Sequence, residues 1–174
     1  MKKPPLILTN VLVFIISGAI AFIGVPLWVA YQGIDWAEIG AAIFLFYFTG
    51  MSITAGYHRL WSHKTYDANV VVRVILAIGG AMALQNSILH WSSDHRVHHR
   101  HVDDNDKDPY SAKKGLWFAH IGWMLREYQA KRYDDYSNCK DLQKDKVVMW
   151  QQTVSQARYS QMNRATFACL LITK

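Results

Sequence analysis

The chain has 174 residues, enough for one domain, and 51% of them are hydrophobic while only 18% are charged, against about 25% in an average soluble domain. The 31 residues from 4 to 34 carry no charge at all. This composition excludes a disordered, low-complexity or collagen-like chain, and the long uncharged stretch excludes an ordinary soluble globule.

The first two predicted elements are membrane-spanning helices that form a hairpin. Residues 6–31 and about 38–57 are apolar runs, and a helix needs about 20 apolar residues to cross the hydrocarbon core. The alternative for the first run is a cleaved signal peptide, since Lys2 and Lys3 precede it. The run is too long for a typical signal peptide, and no small-residue cleavage site follows it.

The loop between the two runs sets the predicted orientation. It carries Asp35 and Glu38 but no Lys or Arg, and Trp28 and Trp36 lie beside it, at the depth that aromatic rings prefer. Basic residues precede the first run and follow the second. By the positive-inside rule, both termini of the hairpin face the cytoplasm. We therefore expect an integral, multi-pass membrane protein.

A third apolar run, residues 74–84, is too short to cross the membrane. Eleven helical residues rise about 16 Å, roughly half of the hydrocarbon core, and the polar residues Gln85, Asn86, Ser87 and His90 follow closely. We interpret residues 74–90 as a buried or interfacial helix. A crossing here would also separate the two histidine-rich segments that flank it.

Five of the eight histidines fall into two short boxes, the first with His58 and His63, the second with His95, His98 and His99. Positions i, i+3 and i+4 share one face of a helix, so the second box predicts a metal-binding surface. The two histidines of the first box lie about 140° apart on an ideal helix. They are poorly placed to bind one ion together unless the helix is distorted, and they could each reach a different metal.

An all-imidazole ligand set favours redox iron over structural zinc. Structural zinc sites favour Cys ligands and four closed positions, whereas imidazoles with open positions suit iron that binds O₂. The three other histidines are interpreted as structural residues or as support for the ligands; they are His90, His101 and His120.

The two boxes resemble those of the membrane-bound fatty acid desaturases, specifically the acyl-CoA delta-9, or stearoyl-CoA, branch. The first reads HRLWSH at residues 58–63, and the second reads DHRVHH at residues 94–99. The resemblance covers roughly residues 6–150. Further matches are Gln85-Asn86, Trp91, Asp108-Pro109 and residues 120–123.

The resemblance implies an all-α integral membrane enzyme, in which a transmembrane helical hairpin is followed by a cytosolic helical metal-binding region carrying both boxes. It implies two iron ions ligated by the five box histidines, and a double bond introduced at the delta-9 position of a saturated acyl chain with O₂ and two electrons. The implied partners are fatty acyl-CoA or another acyl carrier, membrane lipid, and an electron donor such as cytochrome b5, ferredoxin or rubredoxin with a reductase.

The resemblance also implies substrate-binding residues. Asn86 and Asp94 match family residues at the thioester and carrier end of the substrate, and Trp91 matches an aromatic that lines the acyl channel. The alternatives are a buried helix cap for Asn86 and ordinary core packing for Trp91. Ser93 stands where animal enzymes have an arginine, and the basic pair expected near residues 126–128 is altered. Acyl-CoA, acyl carrier protein and a lipid ester are therefore alternative carriers.

Residues 1–150 are thus expected to be the N-terminal part of a desaturase domain, and residues 151–174 a divergent or truncated tail. Polar residues begin at Gln151 where the family has a long apolar run, and no third histidine box follows. We expect the chain as given to be incomplete and inactive. The alternatives are a histidine-box di-iron hydroxylase and a non-catalytic metal-binding membrane fragment.

The rest of the chain is less specific. Residues 100–146 are polar and of mixed charge, and we interpret the acidic stretch from Asp103 to Asp108 as solvated loop, since it lacks the Gly and Glu of a calcium loop. The net charge of +6 fits anionic lipid or a polyanionic carrier, and no motif for nucleic acid is present. The distant Cys139 and Cys169 predict no disulfide framework.

Overall fold

The computed structural model describes residues 3–128 and 135–156, and over these residues the chain is helical apart from loops and one isolated antiparallel bridge. The two long apolar helices are confirmed: α1 is Leu8–Gln32 and α2 is Trp36–Ser62. At 25 and 27 residues both are long enough to cross a membrane. The most apolar part of α1 is 0% buried and that of α2 is 11% buried. The two helices are therefore not the core helices of a soluble domain. The chain is a membrane protein.

Two local features shape α1: a π-helical turn in its second half and a glycine directly after its last residue. A π-helical turn, Ile20–Gly24, precedes the segment Val25–Gln32, whose first turn contains Pro26. Proline has no N–H to donate and interrupts the hydrogen bonding of a helix interior, and the π-helical turn lies directly before this interruption. The helix ends at Gly33, where φ is +80°, a left-handed value that glycine adopts without strain.

The residues that the structure describes fall into two compact units, the first from residues 3–46 and 97–128, the second from residues 47–96 and 135–156. In the first unit, the helical turns Phe118–Gly122 and Trp123–Leu125 lead to a strand-like contact with the N-terminus. The backbone N–H of Ile7 donates to the carbonyl of Leu125 at 2.9 Å. This contact fixes residues near 125 at the start of α1.

The second unit contains α3 (Val70–Met82), most of α4 (Ile88–Arg100) and a further helix, α5, described over 146–156. Its core contains Tyr57 from α2, Ile88 from α4 and Val148 from α5, all with 0% exposure. α3 and α2 approach closely because α3 presents glycines: a Cβ on Gly80 would lie 2.2 Å from the ring of Tyr57.

The single helix expected over residues 74–90 is two helices with a break between them. Asn69 caps the start of α3 by accepting from the N–H of Val72 at 3.1 Å, and α3 ends at Met82, followed by Leu84 with a φ of +56°. At 13 residues α3 rises about 20 Å, which is short of the hydrocarbon thickness. One face packs on α2, while Val71 and Ile75 are exposed.

Candidate metal centre

A π-helix brings the two histidines of the first box together. The last eleven residues of α2, Ser52–Ser62, are π-helical, and the N–H of His63 donates to the carbonyl of His58 at 3.0 Å. This i to i+5 bond places the two residues on successive turns of the helix. Their ring centroids lie 4.5 Å apart. The helix is therefore distorted from α-geometry in the way that the two histidines need in order to bind one ion together.

The second box supplies a third imidazole to the same place. His63 Nε2 lies 3.0 Å from His95 Nε2, and the ring centroids of His58 and His95 lie 4.7 Å apart. The ligand atoms of these three residues lie within 4.8 Å of one another. His99 is on the same face of α4, one turn beyond His95, and is the fourth candidate ligand. We call these four residues the imidazole cluster.

The geometry of the cluster fits a metal ion. A metal–nitrogen bond is about 2.1 Å long, so two imidazoles at right angles around one ion have nitrogens about 3.0 Å apart. The separation between His63 and His95 has this value. Imidazole suits zinc, copper, iron and nickel. Because His63 and His99 are exposed, the cluster is open on one side, which a site that must also bind a small molecule requires.

Trp91 supports the cluster from within the second unit. Its ring stacks on His95 with a centroid distance of 4.8 Å and an interplanar angle of 23°. It is nearly perpendicular to the ring of His58, with a centroid distance of 6.3 Å. The indole Nε1 donates to Gln85 Oε1 at 2.6 Å. The Trp91 ring therefore limits the orientations open to two of the candidate ligands.

His98, the fifth predicted ligand, lies outside the imidazole cluster. Its Nδ1 lies 2.9 Å from Oδ1 of Asp108, which is fully buried and also accepts from the backbone N–H groups of Asp103 and Tyr110. Burial raises the pKa of Asp108, but these hydrogen bonds outweigh it and the pKa lies below its usual value. A carboxylate bonded to one ring nitrogen is a common arrangement in histidines whose other nitrogen binds a metal.

Asp94 and Asn86, the predicted substrate-binding residues, occupy contrasting positions. Asp94 is buried, and its Oδ2 lies 3.3 Å from Nε2 of His90, whose Nδ1 lies 3.3 Å from the hydroxyl of Tyr136. Asn86 is exposed in the break between α3 and α4. It is therefore not a buried helix cap. Ser87 caps α4 instead, because its Oγ accepts from the N–H of His90 at 3.2 Å, and Gln151 Oε1 accepts from the N–H of Ile88 at 2.8 Å.

The three remaining histidines lie outside the imidazole cluster. His90 is buried between Asp94 and Tyr136. His120 is exposed, and its Nδ1 lies 3.0 Å from the carbonyl of Leu116. The backbone N–H of His101 continues the hydrogen bonding of α4 at its C-terminal end. These positions agree with structural roles.

Arg96 holds the two histidine boxes together. This role is not predicted from the sequence, because only the histidines of the boxes are considered there. Its guanidinium binds both carboxylate oxygens of Asp141, at 2.8 and 3.0 Å, and donates to the carbonyls of Trp61 and Ser62. These are the last carbonyls of the π-helix, so Arg96 ties the first box to the helix that carries the second. An arginine directly after His95, inside a box, is the signal in the sequence.

The hydrogen bonds from Arg96, with a further one from Lys64, hold the pKa of Asp141 well below its usual range, although burial opposes them. The same carboxylate raises the pKa of Arg96. Both groups are therefore charged at neutral pH. The planar, bidentate geometry is the strongest form of this ion pair.

Gln151 and Gln152 are also missed, because their polarity is interpreted as divergence. Gln151 Nε2 donates to the hydroxyl of Tyr57 at 2.6 Å and to the carbonyl of Ala77 at 2.7 Å, while Ser87 Oγ donates to Gln152 Oε1. Both glutamines are buried. Their polarity therefore serves the core, where they join α5 to α2, α3 and α4. Residues 157–174 of the predicted tail lie outside the described residues.

The fold and the site together define a class: an all-helical membrane protein with a cluster of imidazoles suited to a metal ion. A sequence model of the family described as fatty acid desaturase matches residues 34–173. The chain belongs to the fatty acid desaturase family.

Curated relatives agree with this assignment. The chain is 50% identical to a probable acyl-CoA desaturase of Schizosaccharomyces pombe over 63% of its own length and 22% of the relative's. It is 36% identical to an acyl-CoA desaturase of Cyprinus carpio, over 86% of the chain and 46% of the relative. It is 46% identical to stearoyl-CoA desaturase of Bos taurus, over 62% of the chain and 31% of the relative. The chain thus spans less than half the length of each of these three relatives.

Proposed function

We propose that the protein acts in acyl-CoA desaturation, introducing a delta-9 double bond into a saturated fatty acyl chain with O₂ and two electrons. The observation that carries the proposal is the meeting of the two boxes: His63 from the first lies 3.0 Å, between Nε2 atoms, from His95 in the second. Relatives that share these boxes are named acyl-CoA and stearoyl-CoA desaturases.

The metal in this proposal is a pair of iron ions. No protein side chain abstracts hydrogen from an unactivated methylene, so bound iron would supply the O₂ chemistry. The imidazole cluster would hold the iron, with His98 as a fifth ligand oriented by Asp108. Two irons need about eight to ten ligands, so these five histidines are proposed as part of the donor set.

The described residues would also position the substrate. Trp91 lies against His95 and His58 and would form an apolar wall for the reacting methylenes, from which it would exclude water. Asn86, exposed beside the start of α4, is accessible to the thioester end of a carrier. Buried Asp94 would act on the carrier only through its neighbours. We propose acyl-CoA as the carrier, with acyl carrier protein and a lipid ester as alternatives.

Membrane orientation and redox partners complete the proposal. α1 and α2 would cross the membrane with both hairpin termini and the two boxes on the cytoplasmic side, where acyl-CoA is present. Electrons would come from a donor such as cytochrome b5, ferredoxin or rubredoxin with a reductase. Membrane lipid would cover the exposed apolar faces of both helices.

The test uses a fusion, because the chain spans less than half of these relatives. Residues 1–156 are joined to the remaining part of the bovine relative and expressed in a desaturase-deficient host with an electron donor. We expect a delta-9 alkene by mass spectrometry from the fusion, and none from residues 1–174 alone or from the fusion with His95→Ala.

Each other outcome has a defined meaning. A hydroxylated product would show that the site is that of a di-iron hydroxylase. A folded, iron-loaded fusion without product would overturn the proposal and favour a non-catalytic metal-binding membrane protein. Desaturation by residues 1–174 alone would show that ligands within this chain suffice to hold the iron. In that case His90, His101 and His120 would be replaced next, to find the additional ligands.

A further inference from the structure

An exposed basic and apolar segment in the first unit has no role in the proposed chemistry. Leu116 and Trp117 are 78% and 66% exposed, and the exposed Lys113 and Lys114 directly precede them. Burying two large apolar side chains stabilises a protein, so leaving both in water is unfavourable. Their exposure together marks a surface that another phase or molecule covers.

Hydrogen bonds place this segment near one end of the membrane-spanning helix α1. Beyond Trp117 the chain remains helical to Leu125, a distance of at most about 13 Å. There, the side chain of Asn10 donates to the carbonyl of Met124 at 2.7 Å, and the side chain of Arg126 donates to the carbonyl of Pro4 at 2.6 Å. Since α1 begins at Leu8, these bonds hold the segment at the surface where α1 enters the membrane.

The chemistry of the segment matches a lipid surface. Tryptophan prefers the boundary between headgroups and acyl chains, and lysine is attracted to anionic headgroups while its methylene stem lies on apolar surface. The Nζ of Lys114 lies 5.0 Å from the ring centroid of Phe118, so this cation stays beside the apolar group. A protein partner would need a shaped apolar pocket with acidic groups, whereas a bilayer offers both chemistries at this depth.

We propose that residues 112–118 form an interfacial anchor, in which Trp117 and Leu116 enter the headgroup boundary of the bilayer while Lys113 and Lys114 bind anionic lipid phosphates. The anchor depends on α1 crossing the membrane and not on the desaturase activity. It would hold the start of α1 and the loop after the second histidine box at one depth.

The test measures depth with a fluorophore attached to single cysteines. The parent is the full chain with Cys169→Ser, in which Cys139 is buried and its pKa is raised by that burial to about 11, so that it stays unlabelled at neutral pH. An environment-sensitive dye is attached to Trp117→Cys or Leu116→Cys. The matched control is Lys107→Cys, which is exposed and in the same unit.

In vesicles that contain anionic lipid, we expect blue-shifted emission and quenching by lipids brominated near the headgroup at positions 116 and 117, but not at 107. In the Lys113→Gln/Lys114→Gln background the shift should lose its dependence on anionic lipid. Emission at 117 equal to that at 107 would overturn the proposal. So would a shift that disappears when the protein is diluted to one copy per vesicle, because that result identifies a second copy of the chain as the covering surface.

Discussion

The Nε2 atoms of His63 and His95 lie 3.0 Å apart, although 32 positions separate the two residues in the chain. At this distance one ring donates a hydrogen bond to the other. A metal ion that replaces the shared proton would need nearly the same separation between the two nitrogens. The hydrogen bond therefore holds the two boxes in the arrangement that metal binding requires, so little rearrangement accompanies binding.

Replacing His95 with Ala should remove most of the bound metal, because His95 contacts both histidines of the first box. Elemental analysis of the purified protein measures this directly. The control is His120→Ala, since His120 is exposed and bonded to a local carbonyl. Unchanged metal content in the His95 variant would contradict the assignment of the imidazole cluster.

Asp108→Asn tests whether His98 is a fifth ligand. If Asp108 orients His98 toward an ion, the variant should bind iron about 10–100-fold more weakly, as measured by competition with a chelator. The matched control is Asp106→Asn, an exposed aspartate two positions earlier. A variant that loses thermal stability but keeps its iron affinity would show that Asp108 serves the fold alone.

Arg96→Ala should destabilise the second unit by about 2–4 kcal/mol, because it leaves Asp141 and two helix-end carbonyls without their main donor. Thermal unfolding in detergent, followed by circular dichroism, provides the measurement. Lys64→Ala is the control: the Lys64 side chain is 57% exposed, and an exposed ion pair contributes about 1 kcal/mol or less. An equal loss of thermal stability in Arg96→Ala and Lys64→Ala would contradict the proposal that Arg96 is the main partner of Asp141 and of the two carbonyls.

The Asp141 carboxylate predicts an acid-dependent change in stability. Because its pKa is lowered in the folded state, Asp141 stabilises the fold above its unfolded pKa of about 3.9 and loses this contribution as the pH falls toward the lower folded value. The difference in Tm between wild type and Asp141→Asn should therefore be constant from about pH 7 to 5 and narrow below about pH 4. A difference that widens on acidification would reverse the assigned sign.

Gln151→Leu should destabilise the protein although it makes the sequence more apolar. The substitution leaves the hydroxyl of Tyr57, the carbonyl of Ala77 and the N–H of Ile88 without this partner, and each unsatisfied buried group costs about 1–3 kcal/mol. The control is Gln156→Leu, an exposed position near the end of the described part of α5. Unfolding in urea gives the free energy of unfolding of each variant. This free energy should fall for Gln151→Leu and stay close to that of the wild type for Gln156→Leu.

The sequence predicts the long helices well because charge-free length is a local property. It also predicts the shared face of His95 and His99, since a four-residue spacing needs only an ordinary helix. The π-helix is not predictable in this way. Its geometry goes with tight packing of α2 on α3, where Gly79 and Gly80 admit Ser52 and Tyr57, and these contacts join residues more than twenty positions apart.

The break between α3 and α4 also depends in part on distant contacts. Ser87 caps α4 locally, but the N–H of Ile88 is bound by Gln151, 63 positions downstream. The bond between Arg96 and Asp141 spans 45 positions. Local periodicity contains no information about partners at such separations, so the sequence predicts candidate ligands but not the residues that hold them in place.

The π-helical end of α2 makes the first box sensitive to deletion. A π-helix contains more residues per turn than an α-helix, so the loss of one residue between Ser52 and His58 would allow the segment to relax to ordinary α-geometry. In α-geometry the five-residue spacing of His58 and His63 corresponds to about 140°, so this relaxation would separate two rings whose centroids now lie 4.5 Å apart. Point substitutions along this stretch should therefore be tolerated far better than any change in its length.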